Sequence, residues 1–257
     1  MPQLEESYYT IEFAENAFLH VIGPPLDRGP LPGLFYFALS GRDSLLQDPY
    51  NQCLQQLPLE QMRCFSLTLP GHEDSSKYIT GIAHWAACFA AGKDLLGEFT
   101  ALAMTALDHL ERLKILAQKI AVAGLSRGAF IASHLAAKDK RVCGLLGFAP
   151  LTRLDKSPDF LELNSSLHLA DLDLINIVAQ LARLPVKFFI GNRDLRVGTR
   201  HCFDFIDSLA NAAYLQGLRS PPVELSIYPS VGYQGHGTPP EIFTAGANWI
   251  KTILQLD

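Results

Sequence analysis

The sequence predicts one α/β domain on a mixed, mostly parallel central sheet, with an antiparallel N-terminal hairpin and helices on both faces. Three observations predict it. Apolar runs of strand length recur without strict alternation, as expected of strands buried on both faces. From Gly33 onward these runs alternate with longer segments of helical periodicity, the pattern of parallel strands joined by crossovers. The 257 residues, 48% of them hydrophobic, supply one large core, and no repeat or linker divides them. A single domain over 1–257 is therefore expected.

The elements follow in order. Tyr8–Phe13 and Ala17–Ile22 read as two strands around a turn at Asn16. Gly23–Gly33 holds four prolines and three glycines, so it is a loop. Gly33–Leu39 is a buried strand that ends at a small polar turn, Ser40–Ser44, with a helix expected near Asn51–Gln56. Arg63–Leu69 is the next strand, closed by the turn Pro70-Gly71-His72-Glu73. Ile79–Ala91 is apolar without a clear period, and Asp94–Leu116 is helical, with Leu95, Phe99, Leu102, Leu107, Leu110 and Leu113 on one stripe. A strand over Lys119–Ala123 and a helix over Gly128–Ala137 flank Gly124-Leu125-Ser126-Arg127-Gly128. Then come a strand at Arg141–Phe148 and an irregular excursion at Thr152–Leu184, lid-like over the sheet's C-terminal edge and helical from Asp171. Strands at Pro185–Ile190 and Val223–Tyr228 and helices at Thr199–Leu218 and Pro240–Leu256 complete the chain.

Composition narrows the function. A formal net charge of -5 with no Lys/Arg-rich run argues against nucleic acid as partner. No apolar stretch reaches the roughly 18 residues of a membrane span. Met1–Glu6 is acidic and polar, unlike a signal peptide, and the five cysteines (Cys53, Cys64, Cys88, Cys143 and Cys202) are odd in number without C-x-x-C spacing. Free thiols and a cytoplasmic location are expected. His72-Glu73 does not continue as H-E-x-x-H, and no other His/Cys/Asp cluster has metal spacing, so neither a metal nor an organic cofactor is expected.

Gly124-Leu125-Ser126-Arg127-Gly128 is a G-x-S-x-G pattern between strand and helix, the context that lifts a serine hydroxyl off a sheet edge on a strained turn. In such a sheet, ligands bind beyond the carboxyl ends of the strands. Asp194 follows the strand ending at Ile190, and His236 follows the last strand within Gly235-His236-Gly237. A serine hydroxyl needs an imidazole to take its proton, and the imidazole needs a carboxylate to fix its tautomer. Ser126, Asp194 and His236 supply these groups, in that chain order. The oxyanion needs N–H donors. One is expected from the backbone of Arg127 and the second from the turn Ser40–Asp43.

These pieces resemble the α/β-hydrolase superfamily, and within it the serine esterases related to the prolyl-oligopeptidase catalytic domain and dienelactone hydrolase. The motif at Ser126 resembles the nucleophile elbow, Gly191–Val197 the acid loop, Gly235-His236-Gly237 the histidine loop, and Leu69-Pro70-Gly71-His72-Glu73 a D-x-P-G-H-G turn. The resemblance spans about Tyr9 to Ile253 and implies the α/β-hydrolase fold. Many members carry His-Gly where this chain has Ser40-Gly41, and by that alignment Arg42 is the second oxyanion donor. Asp155, after the preceding strand, is the rival acid. Arg127 could also steer an anionic substrate, and apolar residues of Ile79–Ala91 and Phe160–Leu169 could line an acyl pocket.

The expected activity is hydrolysis of a small carboxylic ester through an acyl-enzyme. A thioesterase or acyltransferase would use the same residues. A retired hydrolase fold serving as a binding protein is the reading from another class.

Overall fold

The computed structural model describes residues 2–72, 81–156, 160 and 169–256. Among them lies a sheet of eight strands in the order β1-β2-β4-β3-β5-β6-β7-β8. The strands are β1 Tyr8–Ala14, β2 Ala17–Ile22, β3 Leu31–Phe37, β4 Arg63–Ser66, β5 Leu116–Leu125, β6 Val142–Phe148, β7 Val186–Gly191 and β8 Val223–Tyr228. The first hairpin pairs antiparallel and β2 joins β4 antiparallel; every other neighbour pair is parallel. The mixed, mostly parallel sheet expected from the sequence is the one observed.

Strand alternation divides the core in two. Phe35, Phe37, Ile120, Val122, Leu145, Phe188 and Ile190 face one side, packed against Phe130, Ile131 and Leu135. Leu34, Tyr36, Ala121, Ala123, Leu146 and Phe189 face the other, against Phe243, Ala247 and Ile250. The central strands β3, β6 and β7 are buried on both faces because helices cover both, which is why their runs show no polar alternation, whereas edge strand β1 alternates with Thr10, Glu12 and Ala14 exposed.

The helices are α1 Pro2–Glu6, α2 Gly41–Leu46, α3 Ile82–Ala90, α4 Leu95–Arg112, α5 Arg127–Lys138, α6 Val178–Leu181, α7 Thr199–Leu215 and α8 Pro240–Leu254. Three readings need correcting. The turn expected at Ser40–Ser44 is the start of α2, because the Ser40 hydroxyl caps the helix by accepting from the Asp43 N–H at 3.0 Å and donates to the Asp43 carboxylate at 2.7 Å. The helix expected near Asn51–Gln56 shrinks to a 3-10 turn at Leu54–Gln56. Beyond Asp171 the helical stretch is two 3-10 segments, Leu169–Leu172 and Leu174–Ile177, running into the single turn of α6. Much of the Thr152–Leu184 excursion, residues 157–159 and 161–168, lies outside the described residues, as do Ile79, Thr80 and Glu73. Among the described residues no helix is long and apolar enough to cross a membrane.

A buried histidine on α5 titrates well away from its ordinary range. His134 on α5 is 6% exposed, meets the Phe130 ring edge-on at 4.7 Å, and donates through Nε2 to the Leu172 carbonyl at 2.9 Å. Burial pushes its pKa down to about 4 from the ordinary 6.5. The unfolded chain therefore takes up this proton near pH 6.5 while the folded one refuses it until about pH 4. The contribution of His134 to stability is complete above pH 6.5 and falls as pH drops through that window, by on the order of 3 kcal/mol. Urea unfolding of the protein and of His134→Gln at pH 7, 5 and 4 checks this. The variant should show the shallower decline, and parallel declines would sink the assignment.

Candidate active site

β5 ends at Leu125, and Ser126 adopts φ 56° and ψ -115°, a left-handed backbone rare for a residue with a side chain. Its N–H donates to the Phe148 carbonyl at 2.8 Å, and its carbonyl accepts from Leu151 N–H and Ala129 N–H, each at 3.1 Å. α5 starts at once with Arg127. So tight a strand-to-helix reversal requires the two glycines. A Cβ on Gly124 would run into the backbone of Gly128, and one on Gly128 into the Phe37 carbonyl. Gly124→Ala is thus expected to be destabilised by roughly 2–4 kcal/mol as backbone gives way. Thermal melting checks it, and a midpoint within 2 °C of the parent would show the turn tolerates the methyl.

Asp194 sits on the loop after β7, its side chain fully buried. One carboxylate oxygen accepts the N–H groups of Arg196 at 2.9 Å and Val197 at 3.0 Å. The other accepts from His236 Nδ1 at 2.7 Å. His236 leaves the loop after β8, just past a 3-10 turn at Tyr233–Gly235. Gly235 has φ 73° and presses against the Arg193 carbonyl, where a Cβ would collide; the acid and histidine loops meet at this point. His236 Nε2 lies 2.9 Å from Ser126 Oγ. A carboxylate only accepts, so Nδ1 carries the proton and Nε2 is the acceptor facing the hydroxyl. Ser126, His236 and Asp194, 110 and 42 residues apart in successive steps, form one hydrogen-bonded chain.

The other expected residues fall differently. Asp155 is not the partner of His236; it bonds Arg153 at 2.9 Å and Lys156 at 2.8 Å. Asp173 shares Arg153 at 3.2 Å, and burial raises its carboxyl to about 7. Arg42 is carried onto α2, with its guanidinium 5.7 Å over the Tyr8 ring and 4.0 Å from Glu5. It does not line the cavity at Ser126. The turn after β3 reaches that cavity through Ala38 and Leu39, whose N–H groups donate to the Ser44 hydroxyl at 3.1 and 2.8 Å. Arg42 stands in the first turn of α2 because capping by Ser40 makes a helix of what reads as a turn.

Arg127 begins α5, which places its backbone N–H among the donors of the first helical turn. Its side chain lines the cavity but is also held. Nη2 lies 2.5 Å from His72 Nε2, and the guanidinium sits 5.4 Å over the Trp85 ring. Arginine only donates, so Nε2 of His72 is the acceptor. His72 is therefore a wall residue whose role reading along the chain did not reveal.

The cavity measures about 570 Å³. Ile82 and Ala83 line it, with Pro49, Tyr50 and Phe243, so part of the apolar wall expected from Ile79–Ala91 is present. Phe160 is core instead, fully buried 6.0 Å from the Phe89 ring, and 161–168 lie outside the described residues. A larger groove near Tyr8 and Tyr9 and another near Arg141 lie away from the serine.

Neither a protein-family model nor a curated protein matches the chain. Solved structures do resemble it. TT1662 from Thermus thermophilus has a TM-score of 0.66 at 16% identity, over 97% of this chain and 99% of that one. The Pyrococcus furiosus esterase Pf2001 gives 0.63 at 16%, over 96% and 91%. Thermogutta terrifontis esterase 2, in a form phosphoramylated by tabun, gives 0.63 at 15%, over 99% and 96%. Likeness at this identity establishes the architecture: the chain has the α/β-hydrolase fold.

Proposed function

We propose that this α/β-hydrolase-fold protein is a serine hydrolase that cleaves a carboxylic ester of modest size. The observation that carries the reading is the chain Ser126 Oγ to His236 Nε2 to Asp194, at 2.9 and 2.7 Å, opening on a cavity of about 570 Å³. Esterases among the structural relatives support ester bonds as the substrate class.

Ser126 Oγ attacks the carbonyl carbon while its proton passes to His236 Nε2. The imidazolium is stabilised by Asp194, which stays ionised. The oxyanion is received by the Arg127 N–H at the start of α5. Collapse breaks the ester C–O bond, and the alcohol leaves with the proton from His236. Water then loses a proton to His236 and attacks the acyl-enzyme; the acid departs and Ser126 recovers its hydrogen. Thioester cleavage would follow the same steps with a thiol leaving group.

The test is reaction with a fluorophosphonate followed by peptide mass mapping, alongside turnover of short 4-nitrophenyl esters. Phosphonylation confined to Ser126, with matching loss of turnover, is the expected result. No adduct at Ser126, with the ester untouched, would return the protein to the class of binding proteins on a hydrolase scaffold. Comparing an oxyester with the thioester of the same acyl group separates the two chemistries.

A further inference from the structure

We infer that the substrate carries a carboxylate or similar anion, and that Arg196 is its receptor. This rests on the reading of Ser126 as nucleophile and adds the substrate's charge to it. Arg196 lines the same cavity as Ser126 and His236. Its backbone is fixed, since its N–H donates to the Asp194 carboxylate at 2.9 Å, so the side chain starts from a rigid point two residues beyond the acid. Its guanidinium forms no ion pair with any described residue.

The charges around it are lopsided. Among the described residues lining the cavity the charged side chains are Arg127 and Arg196, with neither Asp nor Glu. Asp194 lies behind the imidazole, fully buried, with both oxygens occupied. Arg127 is engaged by His72 and Trp85, so it adds field while Arg196 is the side chain placed to form a forked pair. The whole chain carries a net charge of -5, so a cationic cavity is a local arrangement and not a reflection of composition. Field lines concentrate in such a cleft and raise the local concentration of anions. Pro49, Tyr50, Ile82 and Phe243 give the neutral part of the molecule an apolar wall.

The experiment pairs esters of equal length that differ in charge. 4-Nitrophenyl monoadipate is compared with 4-nitrophenyl hexanoate, placing the carboxylate on the acyl side. The butyrate ester of 5-hydroxypentanoate is compared with pentyl butyrate, placing it on the alcohol side. In at least one pair, kcat/KM for the anion should exceed that for the neutral ester about tenfold at low salt, and the advantage should shrink with added salt. Arg196→Gln should remove that advantage, and Arg196→Glu should reverse it. No charge preference in either pair, or equal losses on both esters of a pair in Arg196→Gln, overturns the proposal. Calorimetric binding of the same four esters to the Ser126→Ala protein separates the two readings. Arg196-dependent binding of an anion without turnover by the parent protein retires the hydrolase and keeps the receptor. Turnover without charge preference does the reverse.

Discussion

The Ser126→Ala protein is expected to lose ester hydrolysis by at least about 10⁴-fold while remaining folded. Only one oxygen is removed, and the backbone that holds it is fixed by the Phe148 carbonyl and the Leu151 N–H, which the substitution leaves in place. His236→Ala should cost about as much, and the double variant little more than either, because the hydroxyl is activated only through the 2.9 Å contact with Nε2. Asp194→Asn keeps the shape but permits the wrong imidazole tautomer, and a loss on the order of 10⁴-fold in kcat is expected. Steady-state kinetics on one 4-nitrophenyl ester measures all four proteins. Independent losses that multiply in the double variant would show that Ser126 and His236 do not act as one unit. Ser126→Gly offers a second readout. Freed of the strain at φ 56°, it should be inactive yet melt no lower than the parent.

Arg63→Ala is expected to have the largest effect on stability, roughly 4 kcal/mol or outright failure to fold. The residue opens β4 and is fully buried. Its guanidinium donates to four backbone carbonyls: Pro24 at 2.8 Å, Pro25 at 2.6 Å, Gly29 at 2.9 Å and Ile115 at 3.0 Å. It thereby pins the proline-rich loop before β3 to the residue that leads into β5. Removing it strands those carbonyls in a cavity, where each unsatisfied group costs about 1 kcal/mol or more. Arg63→Met restores much of the volume but no donor, so it should recover only a minor part of the loss. Urea unfolding of the two variants decides, and a loss below about 1 kcal/mol in Arg63→Ala would show that water replaces the guanidinium freely.

Arg63 also shows where reading along the chain stops. In sequence it is one polar residue at the head of an apolar run, and nothing local says that its partners lie up to 52 residues away. Arg42 shows the opposite failure. Ser40-Gly41-Arg42-Asp43 has the composition of a turn, but the same serine and aspartate form a helix cap, and the choice depends on the buried Ser44 hydroxyl meeting the end of β3. His72 and Arg127 were each legible as unusual residues beside a motif, yet their contact joins positions 55 apart.

By itself the sequence determined the sheet, its mixed pairing, the elbow at Ser126 and the chain order of serine, aspartate and histidine. These depend on periodicity and on residue types that a local backbone demands, and both are written in consecutive positions. Only the tertiary structure decided that Asp194 and not Asp155 takes the imidazole, that Ala38 and Leu39 and not Arg42 form the rim beside the serine, and that Arg196 lines the cavity. Those outcomes depend on which loops meet above the carboxyl ends of the strands, and loop meetings are set by packing between residues that have no neighbourhood in the chain.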